Sequence, residues 1–377
     1  MTNRLQILLR ASPDDPLVAG LPCSVRAAYR AGKLTPERIV IAGADREYLD
    51  RWSFQFRAAG APVVGGADAS ALDARLPILA VDADVFPDVE GMKDFYAGAA
   101  ATPGARRVLQ GRTVAAFASD AAAFGAGADS PADVSARVLS RPFDEVDRGR
   151  FFDASTRAGA ASAAVELYAQ MAKPTDGYLA RYDRTLSVAI TRLLLPFPIS
   201  PNQVTAASLL LGFLGAWLLA SGSRWTQFEG ALILWLCALL DGCDGEIARL
   251  KHHVTAWGGD FDLAADHLAH LATFVALPIG VARLHPDQQW LLPGLLLVSG
   301  FLAAGFSVWW LVLRVPEEAR GPLGLTVERI AGRDYVYLIV ALTAIGRLDW
   351  FVWAAALGSH AFWAWLWWAT RRRRAAD

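Results

Sequence analysis

Asp241-Gly-Cys-Asp244-Gly245-Glu-Ile-Ala248-Arg249, followed after eight residues by Gly258-(3)-Asp262-(3)-Asp266, decides the reading of this chain. On a helix turning about 100° per residue, with Asp241 at 0°, Asp244 falls near −60°, Gly245 near +40° and Ala248 near −20°. Two acids and two of the smallest side chains therefore share one face. In the second segment Gly258, Asp262 and Asp266 fall at about 0°, 40° and 80°, while Asp260 lies on the far side at about 200°. Two helices that each aim carboxylates beside residues without bulk describe a divalent-metal site with room for a ligand. Hard cations such as Mg²⁺ take oxygen ligands, and a pair of ions held by carboxylates clamps a diphosphate from both sides. Four crowded acids without a cation would repel one another. The alternative is a set of unrelated, solvated helix-end acids. Asp241, Asp244 and Asp262 are the expected ligands of two Mg²⁺ or Mn²⁺ ions, with Asp266 as a further ligand.

The pattern D-x2-D-G-x2-A-R-x8-G-x3-D-x3-D resembles the signature of the CDP-alcohol phosphotransferase (CDP-alcohol phosphatidyltransferase) family at all eight of its fixed positions. The resemblance covers roughly residues 173–370. It implies an integral-membrane enzyme that displaces CMP from a CDP-alcohol and joins the phosphoryl group to the hydroxyl of a second alcohol. It further implies that Asp266 is the general base, taking the acceptor's hydroxyl proton. Gly245, Ala248 and Gly258 leave room for the CDP moiety, and Arg249 and Thr255 match family positions that touch the nucleotide. Pro201-Asn202-(2)-Thr205 is similar to the family's entry to its first membrane helix, which borders the nucleotide site. For Arg249, interfacial snorkelling is the alternative. His267 and His270 are rival bases because imidazole titrates near neutrality. His267, about 180° from Gly258, faces away; His270, at about 120°, is the better rival.

Length and composition agree. A chain of 377 residues suggests two domains. A net charge of −1 argues against a nucleic-acid partner, whose phosphates demand a basic surface. Thirteen of the 14 Trp follow residue 200, so the apolar content is concentrated in the second half. Cys23, Cys237 and Cys243 have no metal or disulfide spacing, which suits a reducing cytoplasm. The start of the chain runs into a strand pattern rather than a signal peptide. The expected fold is a soluble α/β Rossmann-like N-terminal domain plus an all-α, six-helix transmembrane domain.

The second half divides into apolar spans at 202–220, 226–247, 260–282, 289–313, 334–347 and 350–369. Lys173, Arg181, Arg184, Arg249, Lys251, Arg314, Arg320, Arg329, Arg333 and the run Arg371 to Arg374 fall on one side, against Arg224, Arg283 and Arg347 on the other. The positive-inside rule then makes both termini cytoplasmic, in a multi-pass protein of the cell inner or plasma membrane. Asp176 to Leu195 places Leu179, Tyr182, Leu186, Ile190 and Leu193 at helical spacing and reads as an amphipathic interfacial helix or a plain linker helix.

Residues 1–155 show strand patterns at Leu5–Leu9, Arg38–Ala42, Pro62–Val64, Ile78–Ala83 and Thr113–Ala118, alternating with helical stretches. This layout resembles the nucleotidyltransferase domain that precedes the membrane domain in inositol-phosphate-transferring relatives. An active member carries a Gly-rich loop with Arg and Lys after the first strand; Arg10-Ala-Ser-Pro-Asp-Asp-Pro-Leu stands there instead. The domain is expected to be degenerate. Asp82-Ala-Asp84 is either a strand-end turn or a remnant metal site. Residues 156–200 are read as connecting and interfacial helices, and 201–377 as the membrane domain. The donor is a CDP-alcohol of the CDP-diacylglycerol or CDP-inositol type. If the acceptor alcohol bears a phosphate, Arg314, Arg320, Arg329 and Arg333 would meet it, though topology alone also explains these arginines. Membrane lipid is a partner, and the reading leaves room for a homodimer. The competing class is a catalytically inactive membrane scaffold or a proton-linked transporter. A transporter needs acids spread along a crossing path, whereas these four cluster at one end of two spans.

Overall fold

The computed structural model describes residues 3–11, 15–66, 69–88, 90–171, 178–315, 324, 326–327 and 334–374. They form two compact units, one of Met1–Gln170 with Ala248–His253, the other of Met171–Ile247 with Val254–Asp377.

The first unit is an α/β domain. Its strands are β1 (Asn3–Arg10), β2 (Leu17–Val18), β3 (Leu21–Pro22), β4 (Pro36–Ala42), β5 (Val63–Gly66), β6 (Ile78–Val81), β7 (Val85–Pro87), β8 (Gly104–Leu109), β9 (Arg112–Ala118), β10 (Asp144–Glu145) and β11 (Phe151–Asp153). Its helices are α1 (Cys23–Ala31), α2 (Arg46–Arg51), α3 (Ser53–Ala58), α4 (Gly91–Ala99), α5 (Ala122–Gly125), α6 (Pro131–Leu139) and α7 (Arg157–Ala169). Seven strands make one sheet in the order β10-β8-β9-β6-β1-β4-β5. β1 pairs parallel with β4 and β6, β4 pairs parallel with β5, and β9 is antiparallel to both β6 and β8. All five anticipated strands are present. Leu5, Ile7, Leu8 and Leu9 of β1 are all buried. A strand covered on both faces reads as a continuous apolar run, which is why β1 shows no alternation. α7 belongs to this unit, so the α/β body extends past residue 155.

The six residues 248–253 also pack within the first unit. Arg26, 1% exposed, donates from Nε to the Val18 carbonyl at 2.8 Å and from Nη2 to the carbonyls of Ala19 and Leu250 at 3.0 Å. Tyr29 stacks on His252 with ring centroids 3.8 Å apart, and Phe54 stacks on His253 at 4.0 Å. The guanidinium therefore satisfies carbonyls that would otherwise be buried without a donor.

The second unit is helical: α8 (Tyr178–Leu194), α9 (Pro201–Leu219), α10 (Arg224–Leu250), α11 (Ala256–Leu284), α12 (Leu291–Val308) with a π-helical turn over Trp309–Leu313, α13 (Tyr335–Ile345) and α14 (Leu348–Arg374). A helix stands at each of the six anticipated spans. Among the described residues, however, only three are long and apolar enough to cross a membrane: Pro201–Leu219, Ala256–Leu284 and Leu291–Leu313. In α10 the uninterrupted apolar run, 231–240, is bounded by Glu229 and Asp241, and α13 is short. Both fall below the ~20 apolar residues that span a bilayer.

Close helix packing holds this unit. Its core contains Ala216, Leu219, Leu234, Leu277, Val281, Leu297, Ile339 and Val352. A Cβ on Gly280 would lie 2.0 Å from the Leu219 carbonyl oxygen, so only glycine lets α11 approach α9 there. Large apolar side chains such as Leu210, Trp217, Leu295 and Leu302 remain exposed around the outside. A surface of that kind is suited to lipid.

Candidate active site

Three helices bring the acids together. Ser200 starts α9 with a reciprocal capping box to Gln203, and Pro201 takes the first helical position, where its missing N–H costs nothing. One turn on, the Thr205 hydroxyl donates to Asp244 Oδ2 at 2.5 Å. Asp241 and Asp244 sit on α10, buried, and Asp262 on α11 is half-buried. One carboxylate oxygen from each of these three lies within 4.8 Å of the other two. Three anionic oxygens at that separation fit a divalent cation of the Mg²⁺ or Mn²⁺ type, which would relieve their repulsion. Asp266, one turn further along α11, is half-buried and is not a member of this trio. Asp260 is exposed, as its facing requires.

The start of α11 closes on the start of α9. Thr255 is the N-cap of α11, its hydroxyl accepting from the Gly258 amide at 2.9 Å. A Cβ on Gly258 would lie 2.8 Å from Thr255 Oγ1 and 3.2 Å from Asn202 Oδ1. Asn202, Thr255 and Gly258 are thus neighbours. Thr255 already has a structural task, and the first amides of a long helix attract anions. Gly245 follows Asp244 on α10; Ala248 and Arg249 lie one turn on, in the segment that groups with the first unit.

The other candidates separate. His267 is exposed and its Nδ1 contacts the Leu263 carbonyl, so it turns away as anticipated. His270 is ringed by Phe274, Phe301 and Tyr335, with centroids 6.5, 6.5 and 5.6 Å away. The Arg314 guanidinium lies over both Trp309 and Trp310, at 5.1 and 4.6 Å from the ring centres. This is a cation–π arrangement. Arg320, Arg329 and Arg333 lie outside the described residues.

The first unit holds its own acids in ion pairs and caps. Asp82 Oδ2 accepts from Arg112 Nε at 2.7 Å, Arg10 approaches the same carboxylate at 3.6 Å, and Arg112 reaches Asp153 at 3.7 Å. Two guanidiniums stand beside Asp82, where a remnant metal site would hold a cation. Asp84, with φ +61°, turns the chain just after β6, and burial raises its carboxyl above the ordinary range. Asp15 caps α1, accepting from the amides of Cys23 and Ser24 at 3.1 Å each and from the Tyr48 hydroxyl at 3.1 Å.

Sequence reasoning missed Glu246. It is 0% exposed and binds Arg184, Ser187 and Thr191 of α8. The residue occupies a variable position of the signature, and its partners lie more than fifty positions earlier. The signal that would have found it is a carboxylate inside an apolar stretch facing the polar side of an amphipathic helix.

Comparison with known proteins agrees with this geometry. Residues 198–370 match the family model of the CDP-alcohol phosphatidyltransferases. A bifunctional IPC transferase and DIPP synthase of Rubrobacter xylanophilus is 40% identical over 87 residues, 23% of this chain and 19% of that protein. The protein of the same name from Aquifex aeolicus is 29% identical over 116 residues, 30% of this chain and 25% of its own length. That of Archaeoglobus fulgidus is 29% identical over 152 residues, 40% and 29% of the two chains. This chain spans less than a third of the length of each of these three relatives. The aspartate signature, the helices that carry it and the matched region coincide: residues 198–370 carry a domain that matches the CDP-alcohol phosphatidyltransferase family model.

Proposed function

We propose that this protein is a membrane-embedded, divalent-metal-dependent CDP-alcohol phosphotransferase of the inositol-phosphate-transferring kind, with six crossings and both termini in the cytoplasm. The observation that carries the reading is the trio Asp241, Asp244 and Asp262, with one oxygen of each inside a 4.8 Å cluster beside the Thr205 hydroxyl. Asp241, Asp244 and Asp262 would hold two Mg²⁺ or Mn²⁺ ions, with Asp266 contributing. When bound, such ions supply positive charge against the phosphate oxygens of the donor and the departing CMP.

The chain's own residues perform the rest. Gly245 and Ala248 offer a helix face without bulk, Asn202, Thr255 and Gly258 meet at the start of α11, and Thr205 stands beside Asp244. Arg249 presents a planar fork suited to a diphosphate. Asp266 receives the acceptor's hydroxyl proton as that oxygen attacks the β-phosphorus, and CMP leaves with the bonding pair. The aromatic enclosure of His270 favours Asp266 in this role. The first unit has lost nucleotidyl transfer, since arginines stand beside Asp82 and a carboxylate caps α1. The relatives' names favour an inositol-phosphate product class, with CDP-diacylglycerol or CDP-inositol as donor.

The test is CMP release by the purified full chain, screening both donors against inositol phosphate, glycerol phosphate and serine with Mg²⁺ or Mn²⁺ present. Metal-dependent CMP release that EDTA abolishes is expected. Absence of CMP from every pair, in protein shown to be folded, would refute the reading.

A further inference from the structure

α10 has two working faces. Taking Asp241 as 0° again, Gly242, Cys243 and Glu246 fall at about 100°, 200° and 140°, opposite the metal-side acids. All three meet α8. A Cβ on Gly242 would sit in ordinary contact with the Ser187 Cβ, 3.4 Å away. The Cys243 thiol points at the Ser187 carbonyl, 3.4 Å away. Glu246 Oε1 accepts from Arg184 Nη1 at 2.9 Å and from Ser187 Oγ at 2.6 Å, and Oε2 accepts from Thr191 Oγ1 at 2.7 Å. Arg184 itself is mostly buried, at 19% side-chain exposure. α8 is held from another side as well, where Tyr337 of α13 donates to Asp183.

We propose that Glu246 is a positioning residue that sets the metal affinity of the aspartate trio by fixing the rotation of α10 against α8. The inference rests on the metal-binding reading of Asp241, Asp244 and Asp262. Its physical basis is leverage. Rotating a helix by about 20° carries an atom roughly 5 Å from the axis through about 2 Å. Metal ligation tolerates only about 0.2 Å. Before a cation enters, repulsion between the α10 and α11 carboxylates drives such a rotation, because it relieves the crowding. Three hydrogen bonds on the opposite face, one of them an ion pair in a dry environment, oppose it. The lock adds no net charge, because Arg184 balances Glu246.

The experiment is a Mn²⁺ titration of the full chain in lipid nanodiscs, with free Mn²⁺ read by electron paramagnetic resonance. The metal-free melting temperature is measured in parallel. Glu246→Gln should weaken Mn²⁺ binding about 10-fold or more, the scale seen when groups supporting metal ligands are removed. Thr191→Val should weaken it less, in the same direction. Glu229→Gln, an exposed acid at the far end of α10, should leave it unchanged. Combining Glu246→Gln with Arg184→Met should cost no more than Glu246→Gln alone, because both break one lock. Wild-type Mn²⁺ affinity in folded Glu246→Gln overturns the proposal. If that variant does not fold, Thr191→Val and Ser187→Ala decide, and unchanged affinity in both overturns it equally. A wild-type chain that binds no Mn²⁺ overturns the metal reading, and this inference with it.

Discussion

The Thr205 hydroxyl donates to the Asp244 carboxylate at 2.5 Å, tying the first turn of α9 to the metal-side face of α10. Both residues are buried, so this bond orients the Asp244 carboxylate. Thr205→Val keeps the shape and removes the donor. It should weaken Mn²⁺ binding about 10-fold, while Thr205→Ser should keep most of it. Equal affinity in the Val and Ser variants, by the same titration, would show that the hydroxyl does not orient Asp244.

Facing predicts opposite outcomes for two acids only two positions apart. Asp262 belongs to the carboxylate trio, whereas Asp260 is exposed. Asp262→Ala should reduce CMP release by on the order of 10²-fold or more, and Asp260→Ala should change it less than 2-fold. Comparable losses in both would mean that α11 presents a different face from the one described.

The base assignment has its own readout. Asp266→Asn keeps the side-chain shape and removes the proton acceptor. Turnover should fall by on the order of 10²-fold or more, with CDP affinity near wild type. Near-normal turnover in this variant together with inactive His270→Ala would transfer the role to the histidine.

A packing prediction concerns Gly280. Its added Cβ would meet the Leu219 carbonyl at 2.0 Å and the Gln227 amide nitrogen at 2.8 Å. Backbone cannot yield there without separating α9 from α11. Gly280→Ala should destabilise the helical unit by about 1–3 kcal/mol. Gly305→Ala, with nothing within 4 Å of its Cβ, should be neutral in the same thermal melt.

The pH prediction rests on His252, which is 6% exposed and stacked on Tyr29. Burial, reinforced by the nearby cations of Arg26, Arg30 and Lys33, pushes its pKa down to about 2. Between that value and the unfolded value of ~6.5, the unfolded chain binds a proton that the folded chain refuses. Stability is therefore fully present above pH ~6.5 and falls as pH drops, by up to about 1.4 kcal/mol per pH unit from this group. The urea midpoint of the full chain should decline between pH 7 and 5, and His252→Phe should flatten that slope. An unchanged slope in His252→Phe would assign the effect to other groups.

Local signals in the sequence were enough to locate most elements. Apolar periodicity put the first span at 202–220, and α9 runs Pro201–Leu219. The helical reading of Asp176–Leu195 corresponds to α8, whose Tyr182 and Leu193 are 71% and 72% exposed. β8 and β10 escaped notice. β8 has two arginines in mid-strand, and β10 is two residues long. In the candidate site, spacing put Asp241 and Asp244 on one face of α10 and Asp262 on the Gly258 face of α11 because helix geometry is local, and the family resemblance joined the two faces. What spacing does not carry is contact between distant segments. The Glu246 lock, the Arg112–Asp82 pair and the Trp309–Trp310 platform under Arg314 all depend on how helices and strands meet. Crossing number is less legible: a helix stands at each of the six anticipated spans, and among the described residues three of them are long and apolar enough to cross a membrane.

The cap on α1 constrains how the N-terminal domain can evolve. Its two leading amides, from Cys23 and Ser24, are committed to the chain's own carboxylate, Asp15. An incoming anion would find the donors taken and a negative charge in its place. Deleting the carboxylate alone strands two buried-edge donors and a tyrosine hydroxyl, which lowers stability before any ligand compensates. Building an anion site there therefore requires two changes whose first step is unfavourable. The carboxylate acts as a ratchet: the domain's own stability selects against an anion at the start of α1.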